Sequence, residues 1–137
     1  MTTIHPQGLA TAIAAEKVEL LDVRPREDFD RAHIRGARSV PLPLLKAVQL
    51  VQQRGRANQA PLFVIGRTRA SASLAAGLLE AAGCSRAVVV EGGMQLWESQ
   101  GLPFERAARP HVLTIKEWFR EVTGRAQPEG EMIRETS

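Results

Sequence analysis

The sequence of 137 residues contains a single cysteine, Cys84. One thiol cannot form an intramolecular disulfide, and it cannot supply a cysteine-based metal cluster. The three histidines, His5, His33 and His111, lie far apart, and none has the i, i+4 spacing that a helical metal site uses. The sequence therefore predicts neither a metal nor a cofactor.

Long hydrophobic runs are also missing. No window approaches the roughly 18 consecutive apolar residues that a membrane-spanning helix needs. The first residues lack the basic start and continuous apolar segment of a signal peptide, and Pro6 and Gly8 interrupt the place where that segment would lie. These absences predict no membrane association and a cytoplasmic location.

Acidic residues are slightly outnumbered, since the formal net charge is +3, and most of the basic residues are arginines. Arginine-rich chains can bind the phosphates of nucleic acids. Here the arginines are scattered among acids, as in "RPREDFDRAHIRGAR" at residues 24–38, with no basic block and no interleaved aromatic residues. A solvated basic surface is the favoured interpretation, and nucleic-acid binding is the weaker alternative.

Apolar segments with strand and helix character alternate along the chain. The predicted helices cover residues 6–15, 42–55 and 71–83, and the predicted strands cover 18–23, 37–41, 61–65 and 87–90. This alternation predicts one α/β domain, a doubly wound parallel sheet with helices on both faces. In such sheets ligands bind at the carboxyl ends of the strands.

The composition changes after Phe104. A capping box from Thr114 to Glu117 and an apolar stripe that includes Trp118 and Phe119 predict an amphipathic helix over about 114–123. The polar residues that follow predict a flexible tail. We expect the stripe to pack on its own domain; the alternative is that it docks on a partner or on a second copy, giving a homodimer.

Two segments resemble the signatures of a known family. "LLDVRPREDFDRAHIRGARSVPL" (20–42) is similar to the opening signature of rhodanese-like domains, an aspartate-valine-arginine strand followed by a "GHIxGAxxxP" turn. "VEGGMQLWESQGLPFE" (90–105) is similar to their closing signature, a glutamate-glycine-glycine turn, a helix with a tryptophan and a glycine-leucine-proline ending. The resemblance runs over residues 5–105 and leaves 106–137 as a C-terminal extension. It implies the doubly wound fold and transfer of a sulfane sulfur through a cysteine persulfide, often from thiosulfate to cyanide or a thiol.

The active loop of the family begins with cysteine directly after the central strand and typically reads "CxxGxRS". Counted back from "LLEAAG", the cysteine position falls on Gly66, the motif glycine on Arg69, its arginine on Ser71 and its serine on Ala72. Glycine has no side chain with which to attack a donor sulfur. The resemblance therefore predicts a rhodanese-like domain that lacks the family's sulfur chemistry, and also the related cysteine-dependent phosphatase chemistry.

The loop "GRTRAS" could still bind a ligand. Backbone N–H groups entering a helix, together with the helix dipole, favour anions. The candidate binding loop consists of Gly66, Arg67, Thr68, Arg69, Ala70 and Ser71. It predicts binding of sulfate, phosphate or a protein carboxylate; the alternative is that Gly66 only permits a turn, Ser71 caps the helix and both arginines are solvated or paired.

Three supporting residues complete the candidate site. The resemblance implies that Asp22 and Arg24 steady the loops and that His33 forms a hydrogen bond within a loop. Cys84 follows a helix C-terminus, which disfavours a reactive thiolate, so we expect a partly exposed structural cysteine. The predicted function is a non-catalytic binding or regulatory module that recognises an anion or a protein partner. The alternative is a sulfurtransferase that acts through Cys84 or a cysteine of a partner.

Overall fold

The computed structural model describes residues 2–55 and 57–106, which belong to one compact unit. The predicted helix at 114–123, with Trp118 and Phe119, and the predicted tail lie outside the described residues.

Within the described part of the chain, five parallel strands form one sheet in the order β1-β5-β4-β2-β3. The strands are β1 (Thr2–Ile4), β2 (Glu19–Asp22), β3 (Arg38–Ser39), β4 (Leu62–Ile65) and β5 (Ala87–Val90). All residues of β4 and β5 are buried. This is why both strands are continuous apolar runs: each has a covering layer on both faces.

The helices of the same region cover both faces of this sheet. They are α1 (Pro6–Ala15), α2 (Arg26–Arg31), α3 (Ala47–Arg54), α4 (Arg69–Ala81) and α5 (Gly93–Ser99), with a 3-10 turn at Leu42–Leu44. Successive residues of a strand point to opposite faces. Accordingly, Val64 and Val89 pack with α3 and α4, whereas Phe63 and Val88 pack with α1 and α5. The predicted doubly wound α/β fold is confirmed.

The bounds of two predicted helices were wrong, and one strand was not predicted. The segment 42–55 is not one helix, because Leu45 and Lys46 leave the helical conformation and α3 begins only at Ala47. The prolines at 41 and 43 remove backbone donors and favour a separate turn here. Helix α4 covers Arg69–Ala81 instead of 71–83, because Thr68 caps it. Strand β1 was not predicted; it is three residues long and depends on pairing with β5.

The residues around α5, which belong to the closing signature, are anchored in the core. Trp97 is 1% exposed in the core, and its indole N–H donates to the carbonyl oxygen of Pro103 at 2.8 Å. Gly92 and Gly93 form the tight turn into α5 with positive φ angles. In the described residues, no helix has the length and apolar character needed to cross a membrane.

Candidate functional site

The loops after β2 and β4 meet at one edge of the sheet. The two strands are neighbours in parallel register, with Asp22 opposite Ile65, and the Val23 N–H donates to the carbonyl oxygen of Ile65 at 2.9 Å. The chain segments that follow, Val23–Pro25 and Gly66–Thr68, are therefore adjacent. The structure thus places the candidate loop at the carboxyl edge of the sheet, where ligands of such folds bind.

The first turn of α4 forms its own capping box. The Thr68 N–H donates to Ser71 Oγ at 3.2 Å, and the Ser71 N–H donates to Thr68 Oγ1 at 3.1 Å. The Ser71 hydroxyl in turn donates to the Thr68 carbonyl oxygen at 3.0 Å. Thr68 is therefore the N-cap and Ser71 the third helical residue, which corrects the expectation that Ser71 caps the helix. Several polar groups that could have bound an anion are engaged with each other.

Gly66 is buried and closely surrounded. A Cβ atom at this position would lie 2.8 Å from Ser71 Oγ and 3.0 Å from the Ala72 nitrogen, separations at which neighbouring atoms must move. On the other side, a Cβ at Gly93 would lie 2.5 Å from the Gly66 carbonyl oxygen. The space next to Gly66 is thus occupied by the capping box, and a larger residue there requires a shift of the first turn of α4.

The two arginines of the loop have different surroundings. Arg67 Nε lies 3.3 Å from Asp28 Oδ2, and the Arg67 side chain is 67% exposed whereas that of Asp28 is 12% exposed. Arg69 is an exposed residue in the first turn of α4. Arg67 therefore links the loop to α2 while it keeps contact with solvent.

Asp22 and Arg24 form a buried ion pair below the loop. The Arg24 Nε donates to Asp22 Oδ1 at 2.9 Å and its Nη2 donates to Asp22 Oδ2 at 2.7 Å. The same Nη2 donates to the carbonyl oxygen of Ala32 at 2.6 Å. Both charges are removed from water, which is unfavourable for an unpaired ion. The ion pair and the third hydrogen bond, to Ala32, compensate for the lost hydration. The pair joins the end of β2 to the end of α2.

His33 has partners on α2 and at the end of the described chain. Its Nδ1 donates to the Phe29 carbonyl oxygen at 2.8 Å, and its ring stacks on Phe29 at a centroid distance of 3.9 Å. Its Nε2 lies 3.4 Å from Glu105 Oε1, and the backbones of His33 and Glu105 form a bridge. These contacts tie segments together, and none of them goes to the Gly66–Ser71 loop.

Cys84 is buried, with 5% exposure, so the expectation of partial exposure was wrong. It lies in the core cluster that contains Leu79 and Val51, and its N–H donates to the Leu79 carbonyl oxygen at 2.9 Å. The sequence could not show that α3 covers this position. Helix α4 lies between Gly66 and Cys84, and its 13 residues are about 20 Å long. The two residues therefore lie at opposite ends of the helix.

A cavity of about 450 Å³ opens beside the loop. The residues that line it come from the end of β2, the Pro41–Leu44 turn and the loop itself: Val23, Arg24, Pro25, Pro41, Leu42, Pro43, Leu44, Arg67, Thr68 and Ser71. Most of its wall is aliphatic. Sequence reasoning missed this cavity, although the spacing of Pro41 and Pro43 directly after β3 signals a rigid turn at the same sheet edge.

A second ion pair, between Glu19 and Arg54, was not predicted from the sequence. Arg54 at the end of α3 donates through Nε and Nη2 to the carboxylate of Glu19 on β2, with distances of 3.0 and 2.6 Å. These hydrogen bonds hold the pKa of Glu19 below its usual value and raise the pKa of Arg54. Nothing in the sequence indicates a pair whose members are 35 residues apart.

In the part of the chain that the structure describes, no three His, Cys, Asp or Glu side chains come together to hold a metal ion. The family model of the rhodanese-like domain matches residues 5–100. This chain belongs to the rhodanese-like domain family. The Pro41–Leu44 turn, the Gly66–Ser71 loop and the cavity between them are therefore features of a rhodanese-like domain.

This rhodanese-like domain is similar in sequence to several known proteins. It is 34% identical over 101 residues to the uncharacterized protein slr1261 of Synechocystis sp., covering 74% of this chain and 54% of that protein. It is 31% identical over 103 residues to the probable adenylyltransferase/sulfurtransferase MoeZ of Mycobacterium tuberculosis, covering 74% of this chain and 26% of that protein. The chain thus spans about half of the first relative and about a quarter of the second.

The fold is shared with a solved structure of a thiosulfate sulfurtransferase from Pseudomonas aeruginosa. The TM-score is 0.63 at 24% identity, and the match covers 89% of this chain and 22% of that one. At this identity the likeness concerns the fold. The family thus contains sulfurtransferases, and the function of this member must be inferred from the residues of its site.

Proposed function

We propose that residues 5–105 form a non-catalytic rhodanese-like module for binding or regulation, with residues 106–137 as an extension. The Gly66–Ser71 loop and the adjoining cavity form its binding face. Asp22, Arg24 and His33 are supporting residues that hold the surrounding segments in place. Sulfur transfer by the family's persulfide route is not part of this function.

The observation that carries the proposal is Gly66 and its surroundings. By the match to the family motif, Gly66 occupies the position of the nucleophilic cysteine. A persulfide requires a thiolate, and glycine offers no atom for this step. The capping box supports the same conclusion, because Ser71 Oγ occupies the space into which a side chain at residue 66 would extend.

The alternative, sulfur transfer through Cys84, is opposed by the position of that residue. Its thiol is buried, whereas a thiol that attacks a donor must be accessible. It also lies at the opposite end of α4 from the cavity. A persulfide on Cys84 would therefore form away from the binding face. The similarity in sequence to the probable adenylyltransferase/sulfurtransferase MoeZ and in fold to the Pseudomonas aeruginosa thiosulfate sulfurtransferase is the reason for testing this alternative directly.

The decisive experiment combines a thiosulfate:cyanide assay with intact-protein mass spectrometry after incubation with thiosulfate. We expect no turnover above the buffer rate and no mass gain of one sulfur atom. A cysteine-containing rhodanese, assayed in parallel, shows that the donor and the detection work. The Cys84→Ser variant serves as the matched control for any signal from the single thiol.

Two results would contradict the proposal. Turnover that disappears in Cys84→Ser would establish the Cys84 route. Turnover that persists in Cys84→Ser would establish a route through another group. A mass gain of one sulfur atom on the peptide that contains Cys84 would have the same meaning as the first result.

A further inference from the structure

We propose that the binding face receives a segment of another protein, which inserts an aliphatic side chain into the cavity and places carboxylates beside it. This inference rests on the proposed function and names the chemical class of the partner. It is carried by three observations: the lining of the cavity, an exposed aliphatic surface next to it, and the charge of the chain segments that form both.

The cavity is shaped for a hydrocarbon group. Val23, Pro41, Leu42 and Leu44 contribute aliphatic side chains to its wall. The buried Arg24 guanidinium, which also lines it, is already neutralised by Asp22 at 2.7 Å. The volume of about 450 Å³ lies within the range of binding pockets, and an aliphatic side chain gains by leaving water for such walls.

An exposed aliphatic surface continues from the cavity along α3 and α4. We call it the α3–α4 surface, and it consists of Leu44, Val48, Leu74 and Leu78, which are 44–68% exposed. On α4, Leu74 and Leu78 follow Ser71 at spacings of three and seven residues, so all three lie on one side of the helix. Because Ser71 lines the cavity together with Leu44, this side of α4 faces the Pro41–Leu44 turn.

Val48 reaches the same surface from α3. It lies three residues before Val51, hence on the same side of that helix. Val51 faces the end of α4, because a Cβ at Gly83 would lie 3.6 Å from Val51 Cγ1. Val48 therefore lies on the side of α3 that is turned towards the end of α4. Such a surface beside a cavity is typical of a site where a protein segment docks.

The chain segments around the cavity and the α3–α4 surface carry basic side chains and few acidic ones. Residues 31–79 contain no aspartate or glutamate, although they include the Pro41–Leu44 turn, α3 and the first eleven residues of α4. Basic residues stand at the rim, where Arg67 lines the cavity and Lys46 is exposed next to Leu44 and Leu45. Arg67 also contacts Asp28 at 3.3 Å but keeps 67% of its side chain exposed, so Lys46, Arg67 and Asp28 together carry one net positive charge. A partner with carboxylates is complementary to this rim.

The same features disfavour other occupants. A free sulfate or phosphate gains nothing from aliphatic walls, and the capping box engages the Thr68 and Ser71 N–H groups. A second copy related by a two-fold axis would bring Lys46 and Arg67 towards their own copies. A nucleic acid would gain from the charges but not from Leu44, Val48, Leu74 and Leu78. An acidic protein segment with aliphatic side chains uses both features.

The test is a selection of random peptides of about 12 residues, displayed on phage, against the immobilised full chain. We expect enriched peptides to combine a leucine-sized aliphatic residue with net negative charge. A synthetic, labelled copy of the most enriched peptide then serves as the probe in fluorescence titrations. Its affinity should fall about tenfold or more in Leu44→Ser and in Arg67→Glu, and should weaken as salt rises.

Matched controls use positions away from the binding face. Phe104→Ser removes an exposed apolar side chain that lines a different cavity, next to Ile13 and Ile34. Arg86→Glu reverses an exposed charge just before β5, at the amino edge of the sheet. Both should leave the affinity of the probe unchanged. Because Leu44 is 68% exposed, Leu44→Ser should retain the melting temperature of the parent chain.

Several outcomes would overturn the inference. These are basic enriched peptides, no enrichment at all, or an affinity that Leu44→Ser leaves intact. A dimer mass in light scattering that Leu44→Ser reduces to a monomer mass would assign the surface to a second copy. Oligonucleotide binding lost in Arg67→Glu would assign it to nucleic acid. The sulfur assays separate the two proposals, since each of these results leaves the absence of sulfur transfer untouched.

Discussion

The atoms around Gly66 leave little room for a side chain at this position. The oxygen of Ser71 and the nitrogen of Ala72 lie where a Cβ would need room, and Gly93 brings a second backbone against the Gly66 carbonyl. Sequence reasoning assigned Gly66 to the position of the family's nucleophile, and this assignment stays a prediction. Such reasoning could not reveal the close contacts around Gly66, because residue spacing does not show that Thr68 and Ser71 form hydrogen bonds with each other.

The crowding predicts the stability of alanine variants. Gly66→Ala should lower the free energy of unfolding by about 1–3 kcal/mol, because the first turn of α4 must move to admit the methyl group. In the Ser71→Ala background the same change should cost less, since the nearest obstacle is gone. Urea unfolding of the four proteins measures this coupling.

Gly77→Ala is the control for this comparison. Gly77 lies inside α4, and a Cβ there would meet nothing within 4 Å. Alanine should therefore raise the free energy of unfolding by up to about 1 kcal/mol. A Gly66→Ala protein as stable as the parent chain would show that the space next to Gly66 is open.

The buried ion pair below the loop supports a second prediction. Asp22→Asn leaves the Arg24 guanidinium buried without a counter-charge, and we expect it to lower the free energy of unfolding by about 3–5 kcal/mol. Asp30→Asn removes an acid from the exposed i, i+4 pair with Arg26 and should cost less than about 0.5 kcal/mol. Equal losses in urea unfolding would contradict the special role of Asp22.

At the scale of elements, predictions succeeded where the local pattern decides the structure. The apolar runs of β4 and β5 and the alanine-rich face of α4 were found because burial on a sheet leaves a periodic trace. The 3-10 turn at Leu42–Leu44 was missed, since Leu44, Leu45, Val48 and Val51 share helical spacing while the prolines break the helix. Strand β1 and the Glu19–Arg54 pair depend on partners that are distant in sequence.

The pair between β2 and α3 makes stability depend on pH. Arg54 lowers the pKa of Glu19 in the folded protein, so folding is favoured when Glu19 is ionised. This contribution is fully present above the ordinary pKa of 4.5 and is lost as the pH falls through the lowered value. Glu19→Gln should therefore reduce the urea midpoint at about pH 7, and the difference should shrink as the pH falls below 4.5 through the lowered pKa of Glu19.

The control for this pH series is Glu16→Gln, which changes an exposed glutamate three residues earlier. Its urea midpoint should follow that of the parent chain at every pH. Because Glu19 is 46% exposed, solvent weakens the interaction and the effect at neutral pH should be small. A Glu19→Gln deficit that does not shrink as the pH falls below 4.5 would point to lost packing instead of lost charge.

At the scale of the whole molecule, the family motifs predicted the fold and the position of the loop. They did not predict the cavity, because its walls come from the Val23–Pro25 and Pro41–Leu44 segments, which only the assembled sheet brings next to Gly66–Ser71. The buried location of Cys84 was missed for a related reason, since its cover comes from α3. Sites that depend on several segments require the tertiary structure, whereas the assignment of Gly66 to the nucleophile position rests on the sequence alone and stays a prediction.

A redesign of the loop tests the module as a whole. The triple variant Gly66→Cys, Arg69→Gly, Ser71→Arg restores the family motif on the sequence and removes the Ser71 hydroxyl from the space next to residue 66. We expect measurable but modest persulfide formation with thiosulfate, because the Ala72 nitrogen still lies 3.0 Å from the new Cβ. Intact-protein mass spectrometry detects the product.

The single change Gly66→Cys is the matched control for the redesign. It keeps Ser71 Oγ 2.8 Å from the new Cβ, and we expect a less stable protein with less persulfide than the triple variant. An inert triple variant would mean that the backbone of the loop, and not only its side chains, differs from that of active family members.

The position of the Ser71 hydroxyl also bears on evolutionary reversibility. A glycine codon can become a cysteine codon through one nucleotide change, yet here that mutation would place the new side chain in occupied space. Replacing the serine first would open this space, but it would remove one side of the capping box at the first turn of α4. A return to the family motif therefore requires changes at residues 66 and 71 that each lower stability when made alone.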